Sequence, residues 1–189
     1  MPFWRIALVA LVGFWTVPLG AAPQSYTLKI DDSRIGFTYN LQGSEFQGEI
    51  PIAAADVVID FDNLSRSQVF VTFDMAGTSA GFGPLTEAVR SKAVLSTAQN
   101  PQATFETSRV TRSGVGATLE GNLTLRGVVR PVTLDARIYR ERGSDVGDLS
   151  NLVLHITGHL DRNEFGASGY ANLVGPKIGL NVVVSVAAE

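Results

Sequence analysis

The residues of this sequence that could do chemistry are few, and its two histidines come first. His155 and His159 lie four positions apart, a spacing that would place both side chains on one face of a helix. They fall, however, in a run of alternating apolar and polar residues from position 152 to 160, which is typical of a strand. Four strand positions separate two residues by about 13 Å, whereas a zinc ion needs both nitrogens about 2.0–2.1 Å away. The spacing therefore favours exposed strand histidines and no metal site.

The carboxylates that lie closest in sequence are Asp31 with Asp32 and Asp60 with Asp62. Paired acids do general acid–base work when burial or mutual repulsion shifts their pKa values. The first pair is at a strand end and the second is on a polar strand face, so we expect both pairs to be solvated. Ser168 lies in the string GASGY, which does not complete G-x-S-x-G, and no phosphate-binding glycine motif occurs. We therefore predict no catalytic residue and no enzyme activity.

Composition narrows the class of protein further. The chain has 189 residues, no cysteine and a net charge of −3. Without cysteine there is no disulfide framework, thiolate zinc site or Cys nucleophile. The negative charge argues against a surface that tracks phosphates, so we expect no nucleic acid partner. With 45% hydrophobic residues the chain can bury the core of one domain. Because the sequence offers no group of metal ligands and no cofactor motif, we predict neither a cofactor nor a metal.

The beginning of the chain is typical of an export signal. One charge, Arg5, precedes an apolar run over residues 6–19. A membrane-spanning helix needs about 20 apolar residues, and a shorter run that ends in small, helix-breaking residues is typical of a cleaved secretory signal. We predict a signal peptide over residues 1–22 and a mature domain over residues 23–189, exported to the periplasm. An uncleaved N-terminal anchor is the alternative.

Beyond residue 25 apolar residues recur at every second position, as in Ile35, Phe37 and Tyr39. This period predicts about eight or nine strands, each with one apolar face. No alternation of strands with helices is visible, which favours an all-β fold built on an antiparallel sheet. Such a sheet can hide its apolar face by stacking on a second sheet or by closing into a barrel. Alternation alone does not distinguish these two.

Residues 75–102 interrupt the alternation. A Gly-Pro pair at positions 83–84 can begin a helix. Leu85, Ala88 and Val89 then share one face of that helix. We predict a short helix between two strands that presents this face to an opening of the β structure, either as a plug or as a mobile lid.

Several strings, in order along the chain, resemble the YceI-like family of lipid-binding periplasmic proteins. The most specific is GNLTLRGVVRPVTL over residues 121–134. The others are DSRIGFT from position 32, NPQATF from position 100, DRNEFG from position 161 and VGPKIGL from position 174. The resemblance implies a closed, antiparallel, lipocalin-like β-barrel of about eight strands, a periplasmic address, and an elongated pocket for a polyisoprenoid or an isoprenoid quinone.

We accordingly predict an exported protein that sequesters or carries a polyisoprenoid, or another long apolar ligand, without catalysis. The candidate ligand-binding residues are apolar residues of the inward strand faces, adjoining loops or helical face: Phe37, Tyr39, Phe61, Val71, Phe73, Leu85, Val89, Phe105, Leu123, Leu125, Leu134, Ile156 and Leu180. Transient membrane contact is a further expectation, and edge pairing or the helix could support a homodimer. Two alternatives stay open: a fully packed structural or interaction barrel, and an enzyme acting on a lipid or quinone.

Overall fold

The computed structural model describes residues 23–140, 143–145 and 147–189, so the predicted signal segment lies outside the described residues. The strands are β1 Gln24–Leu41, β2 Ser44–Ile50, β3 Ile52–Ile59, β4 Gln68–Asp74, β5 Gln102–Ser113, β6 Gly116–Leu125, β7 Val128–Arg140, β8 Asn151–Asp161 and β9 Val174–Ala188. The helices are α1 Gly83–Arg90 and two 3-10 helices, Leu64–Arg66 and Arg162–Phe165. In the part of the chain that the structure describes, no helix is long and apolar enough to span a membrane.

The sheet closes into a barrel. Strands β3 to β9 pair antiparallel in chain order, and β9 returns to pair with β1 from Tyr26↔Ala188 to Leu41↔Val174. On the other side of β1, β2 pairs with its second half and β3 with its first three residues. Only Pro51 separates β2 from β3, so the two together fill one of eight positions around the barrel. The prediction of a closed antiparallel barrel with one short helix is confirmed, and the stacked sandwich is excluded.

Two-residue hairpin turns set the register at one end of the barrel. Gln42 and Gly43 connect β1 to β2, and Arg126 and Gly127 connect β6 to β7. All four have positive φ, between 51° and 88°. That backbone matches the twist of the flanking strands, and glycine adopts it without steric cost. Arg126 is held there because its Nη1 donates to the carbonyl oxygens of Val94 and Lys92.

Side chains fill the opposite end of the barrel. One cluster of buried residues contains Tyr26, Val57, Ile59, Leu152, Leu154 and Val186. A second contains Val110, Ala117, Leu119 and Ala136. Leu64, from the 3-10 helix between β3 and β4, packs against both clusters. This end is therefore a packed core.

Asp60 holds the turn that leads into this 3-10 helix. Its carboxylate accepts hydrogen bonds from the backbone N–H groups of Asn63 at 2.8 Å and Asp62 at 3.0 Å, and from Arg66 Nε at 2.6 Å. The hydrogen bond from Asn63 is the main cause of a lowered pKa for Asp60, and the side chain and charge of Arg66 lower it further. The prediction that Asp60 is solvated was wrong, because the turn folds over it and leaves it 1% exposed.

The two histidines lie on the outer face of β8. His155 Nε2 is 2.7 Å from Asn181 Oδ1 of the neighbouring strand. In the register of β8 with β9, His155 stands opposite Val183 and His159 opposite Gly179. Within the described residues, no three His, Cys, Asp or Glu side chains come together as a metal ion would require.

Candidate ligand-binding cavity

A cavity of about 310 Å³ occupies the end of the barrel that the clusters above do not fill. The surface that faces it is apolar. Its walls come from strand residues near this end: Phe37, Tyr39, Leu41, Ile50, Phe73, Ala103, Leu123, Leu125, Leu160, Ile178 and Leu180. These side chains point inward because alternate strand residues face the barrel interior.

Helix α1 and the segment after it cover one side of the cavity. Leu85, Ala88 and Val89 line the cavity from the helix, and Val94 and Leu95 continue that surface. The helix begins at a Gly-Pro pair, where the missing N–H of proline costs nothing. This is the apolar helical face that the sequence predicts at an opening.

Hydrogen bonds fix this cover to the barrel. Thr86 Oγ1 accepts from the N–H of Ala80 at 3.0 Å, and Arg90 Nε donates to the carbonyl oxygen of Thr78 at 2.8 Å. The N–H of Gly169 donates to the carbonyl oxygen of Ala93 at 2.9 Å. The helix is thus joined to the chain that follows β4, and the segment after it to the loop that precedes β9.

Aromatic rings form the wall on the β1–β2 side. The rings of Phe37 and Tyr39 stack with centroids 5.9 Å apart, and Tyr39 stacks on Phe46 at 5.8 Å. Gly48 leaves room for the ring of Phe37, because a Cβ on residue 48 would come within 2.2 Å of that ring. The Tyr39 hydroxyl donates to the carbonyl oxygen of Ala80 at 3.0 Å, and burial raises the pKa of Tyr39. The phenol therefore stays protonated at neutral pH and has a structural role.

The string DRNEFG forms the 3-10 helix that turns the chain out of β8. Asp161 caps it by accepting from the N–H of Asn163 at 2.8 Å. Gly166 ends it in the left-handed conformation, with φ of 68°. Phe165 is buried beside Phe105 and Leu123 under the cavity wall. The local sequence thus accounts for both ends of this element.

Arg162 holds the loop between that 3-10 helix and β9. Its guanidinium is buried and donates to backbone carbonyl oxygens of Ala167, Gly169 at 2.7 Å, Val174 at 2.9 Å and Gly175 at 3.0 Å. Burial is the main cause of a lowered pKa for Arg162, and the charge of Asp161 opposes it. Arg162 reaches the cavity wall, yet most of its donors are engaged by backbone, so it fixes the shape of the loop.

Comparison with known proteins gives the family. A family model described as a YceI-like domain matches residues 26–189. The chain belongs to this family. The resemblance seen in the sequence is thereby confirmed.

Relatives of the YceI-like domain agree with this assignment. The chain is 33% identical over 102 residues to a UPF0312 protein of Serratia proteamaculans, covering 54% of this chain and 53% of that protein. It is 35% identical over 79 residues to a UPF0312 protein of Yersinia pestis, covering 42% of this chain and 41% of that one. The aligned part of the chain thus spans about half, or less, of the length of these curated relatives.

Two solved structures share the fold. Burkholderia cenocepacia BcnA superposes with a TM-score of 0.75 at 16% identity, over 84% of this chain and 99% of that one. A Campylobacter jejuni YCEI protein superposes with a TM-score of 0.58 at 19% identity, over 99% of both chains. At these identities the two likenesses show the barrel fold alone.

The structure brings eight of the predicted ligand-binding residues of this YceI-like domain to the cavity. They are Phe37, Tyr39, Phe73, Leu85, Val89, Leu123, Leu125 and Leu180. They come from four strands and from α1, and they meet only because the barrel closes.

The other five predicted residues do not line the cavity. Phe61 and Ile156 pack against the filled end, and Leu134 packs with the clusters beneath the cavity. Phe105 is buried under Leu123, with its ring over Gly121, where a Cβ would come within 2.7 Å of it. Val71 is half-buried, and it pairs with Ala55 of β3 on one side and with Phe105 of β5 on the other. The four strand residues have the orientation that alternation predicts, but they lie at the wrong height or under another side chain, and Phe61 lies in the bend after β3.

Sequence reasoning also missed residues that line the cavity. Leu41, Leu160 and Ile178 continue the alternation to the ends of their strands, so a longer count along each strand would have found them. Thr78, Tyr170 and Leu173 lie in connecting segments that have no period. No pattern in the sequence predicts that these loop residues face the cavity.

Proposed function

We propose that this YceI-like domain is an exported binding protein that holds the apolar chain of a polyisoprenoid or a similar amphiphile, such as an isoprenoid quinone. The observation that carries the proposal is the cavity of about 310 Å³ with an apolar surface at one end of a closed barrel. The opposite end is filled by side chains, so closing the sheet into a barrel does not by itself leave a cavity. A purely structural barrel has no need of it, since empty apolar space costs stability.

The volume limits how much of a ligand is enclosed. At about 30 Å³ per non-hydrogen atom, as in liquid water, the cavity holds about ten such atoms. Ten methylene groups would contribute about 8 kcal/mol on burial, of which association costs remove several. A prenyl chain of about two units fits, and a longer chain must extend through the opening or displace α1. The cavity thus lies near the lower limit of about 300–1,000 Å³ for ligand sites.

The rim of the cavity supports transfer at a lipid surface. Tyr170 and Leu173 line the cavity and are also 46% and 37% exposed. They lie in the loop that Arg162 holds, beside the β1–β2 turn, whose Gln42 N–H donates to the carbonyl oxygen of Leu173 at 2.9 Å. An apolar rim of this kind can contact a bilayer briefly while a chain passes. We therefore include transient membrane contact in the proposal.

The wall chemistry supports a non-catalytic role. Among the described residues, the titratable side chains at the wall are Tyr39, Arg162 and Tyr170. The Tyr39 hydroxyl and the Arg162 guanidinium donate hydrogen bonds to backbone carbonyl oxygens. General acid–base chemistry needs a group that can exchange a proton with the substrate near neutral pH, and the raised pKa of the buried Tyr39 does not suit that role. Export to the periplasm rests on the apolar segment over residues 6–19.

The experiment is native mass spectrometry of the protein purified from the periplasm of its own host, followed by organic extraction. We expect one apolar ligand per chain and an N-terminus near residue 23. In Ala88→Phe the new ring enters the cavity from α1, so ligand occupancy should fall at least about tenfold. Ala54→Phe adds the same ring on the exposed face of β3 and should leave occupancy unchanged.

Three outcomes would count against the proposal. A folded Ala88→Phe protein that keeps its ligand would show that the cavity is not the site. Protein with no extractable ligand and no binding of hydrophobic fluorescent probes would favour the structural barrel. A change in the mass of bound ligand during incubation would favour an enzyme.

A further inference from the structure

We propose that the hydroxyl of Thr78 recognises an acceptor oxygen on the ligand, so that the preferred ligand is an apolar chain that bears an uncharged carbonyl or ether oxygen. The inference rests on the proposed function, because it concerns the same cavity. It adds a polar contact to a site whose other predicted contacts are apolar.

Thr78 is an orphaned polar group at the cavity wall. It lines the cavity and is 0% exposed. Its Oγ1 is the one buried side-chain oxygen or nitrogen without a hydrogen-bond partner in the described part of the chain. Buried polar groups in native proteins are nearly always paired, and an exception calls for an explanation.

Both backbone polar groups of Thr78, its N–H and its carbonyl oxygen, already make hydrogen bonds. Its N–H donates to the carbonyl oxygen of Met75 at 3.3 Å, and its carbonyl oxygen accepts from Arg90 Nε at 2.8 Å. The residue is therefore held in place, and only its side chain is left to bind something else.

Water is a poor partner at this position. Buried waters typically make about three hydrogen bonds, whereas the cavity surface is apolar. A water molecule against Thr78 would have the hydroxyl as its main partner. A ligand oxygen needs only that one bond, because the rest of the ligand is satisfied by apolar contacts.

The chemistry favours an acceptor on the ligand over a donor. A buried hydrogen without an acceptor costs more than an oxygen with spare lone pairs. Because the hydroxyl is covered by neighbouring side chains, a ligand oxygen reaches it by displacing them.

The test compares two probes that differ in one oxygen: a long-chain methyl ketone and the alkane of the same length, each displacing a hydrophobic fluorescent dye. Thr78→Val keeps the shape of the side chain and removes the hydroxyl. We expect it to weaken ketone binding about five- to tenfold and to leave alkane binding within about twofold. Thr78→Ser should keep the ketone affinity. Thr157→Val, on the exposed outer face of β8, is the matched control and should change neither.

Each outcome separates this inference from the proposed function. If Thr78→Val binds both probes as the unmodified protein does, the inference is wrong and the carrier function stands. If neither probe displaces the dye from the unmodified protein, the proposed function fails and the inference falls with it. If Thr78→Val does not fold, the affinities of the unmodified protein for the two probes are compared instead. Weaker binding of the ketone than of the alkane overturns the inference, because burying a carbonyl that has lost its hydrogen bond to water costs free energy.

Discussion

Single residues hold the turns of this barrel in place, and Asp60 can be tested by pH. Its pKa is lowered below the ordinary value of about 3.9, chiefly by the N–H of Asn63. A lowered folded pKa means that the stabilisation is complete above the unfolded pKa and is lost as the pH falls through the folded pKa. We expect the free energy of unfolding to fall below about pH 4, and to fall less steeply in Asp60→Asn.

Urea denaturation at a series of pH values checks this prediction. Asp56→Asn removes an exposed carboxyl on β3, the strand that precedes Asp60, and it should keep the steep dependence. Equal slopes for Asp60→Asn and the unmodified protein would show that the turn does not depend on the carboxylate.

At the scale of elements, the loop between the second 3-10 helix and β9 depends on Arg162. Replacing Arg162 with Met removes the donor from the buried carbonyl oxygen of Ala167 and from the partly buried carbonyl oxygens of Gly169, Val174 and Gly175. Hydrogen bonds to a charged group contribute about 1.5–3 kcal/mol each, and they are not additive. We expect Arg162→Met to lower the free energy of unfolding by about 3 kcal/mol, and to speed proteolysis within this loop.

The lysine variant shows whether geometry or charge matters. Arg162→Lys keeps the charge but has three donors on one atom, so it cannot reach carbonyl oxygens that are spread around a planar guanidinium. It should lose most of the same stability. Arg130→Met, at an exposed arginine, should change stability by less than about 0.5 kcal/mol. Full stability in the lysine variant would overturn the geometric explanation.

Across the whole molecule, one end of the barrel is packed and the other is hollow, so equivalent substitutions should have unequal costs. Leu152 is 1% exposed within the packed cluster, whereas Leu180 lines the cavity. Truncating Leu152 to Ala creates a new void and should cost about 3 kcal/mol. Truncating Leu180 enlarges a void that already exists and should cost about 1 kcal/mol, because fewer contacts are lost.

Thermal and denaturant unfolding of the two variants would measure this contrast. Similar losses would mean that the hollow end is filled in solution. A smaller loss for Leu152→Ala would place the cavity at the opposite end of the barrel.

The whole-molecule arrangement also explains why prediction succeeded for some residues and failed for others. Alternation placed Ile156 and Leu180 correctly on the inner faces of their strands, whereas β3 ends before Phe61. Alternation carries no information on height along the barrel axis, and height separates Leu180 at the cavity from Phe61 and Ile156 at the packed end. The prediction for Asp60 was wrong because β3 ends one residue before it, and the following turn folds over its carboxylate.

The sequence by itself determined the local features of this protein, because they depend on neighbouring residues. These are the inner and outer faces of the strands, the Gly-Pro beginning of α1, and the capped turn at DRNEFG. Tertiary structure alone decided that β1 meets β9, that one end of the barrel stays hollow, and that Thr78 is left without a partner there. Those features depend on residues far apart in the chain, whose distance apart is set only when the barrel closes and the side chains pack.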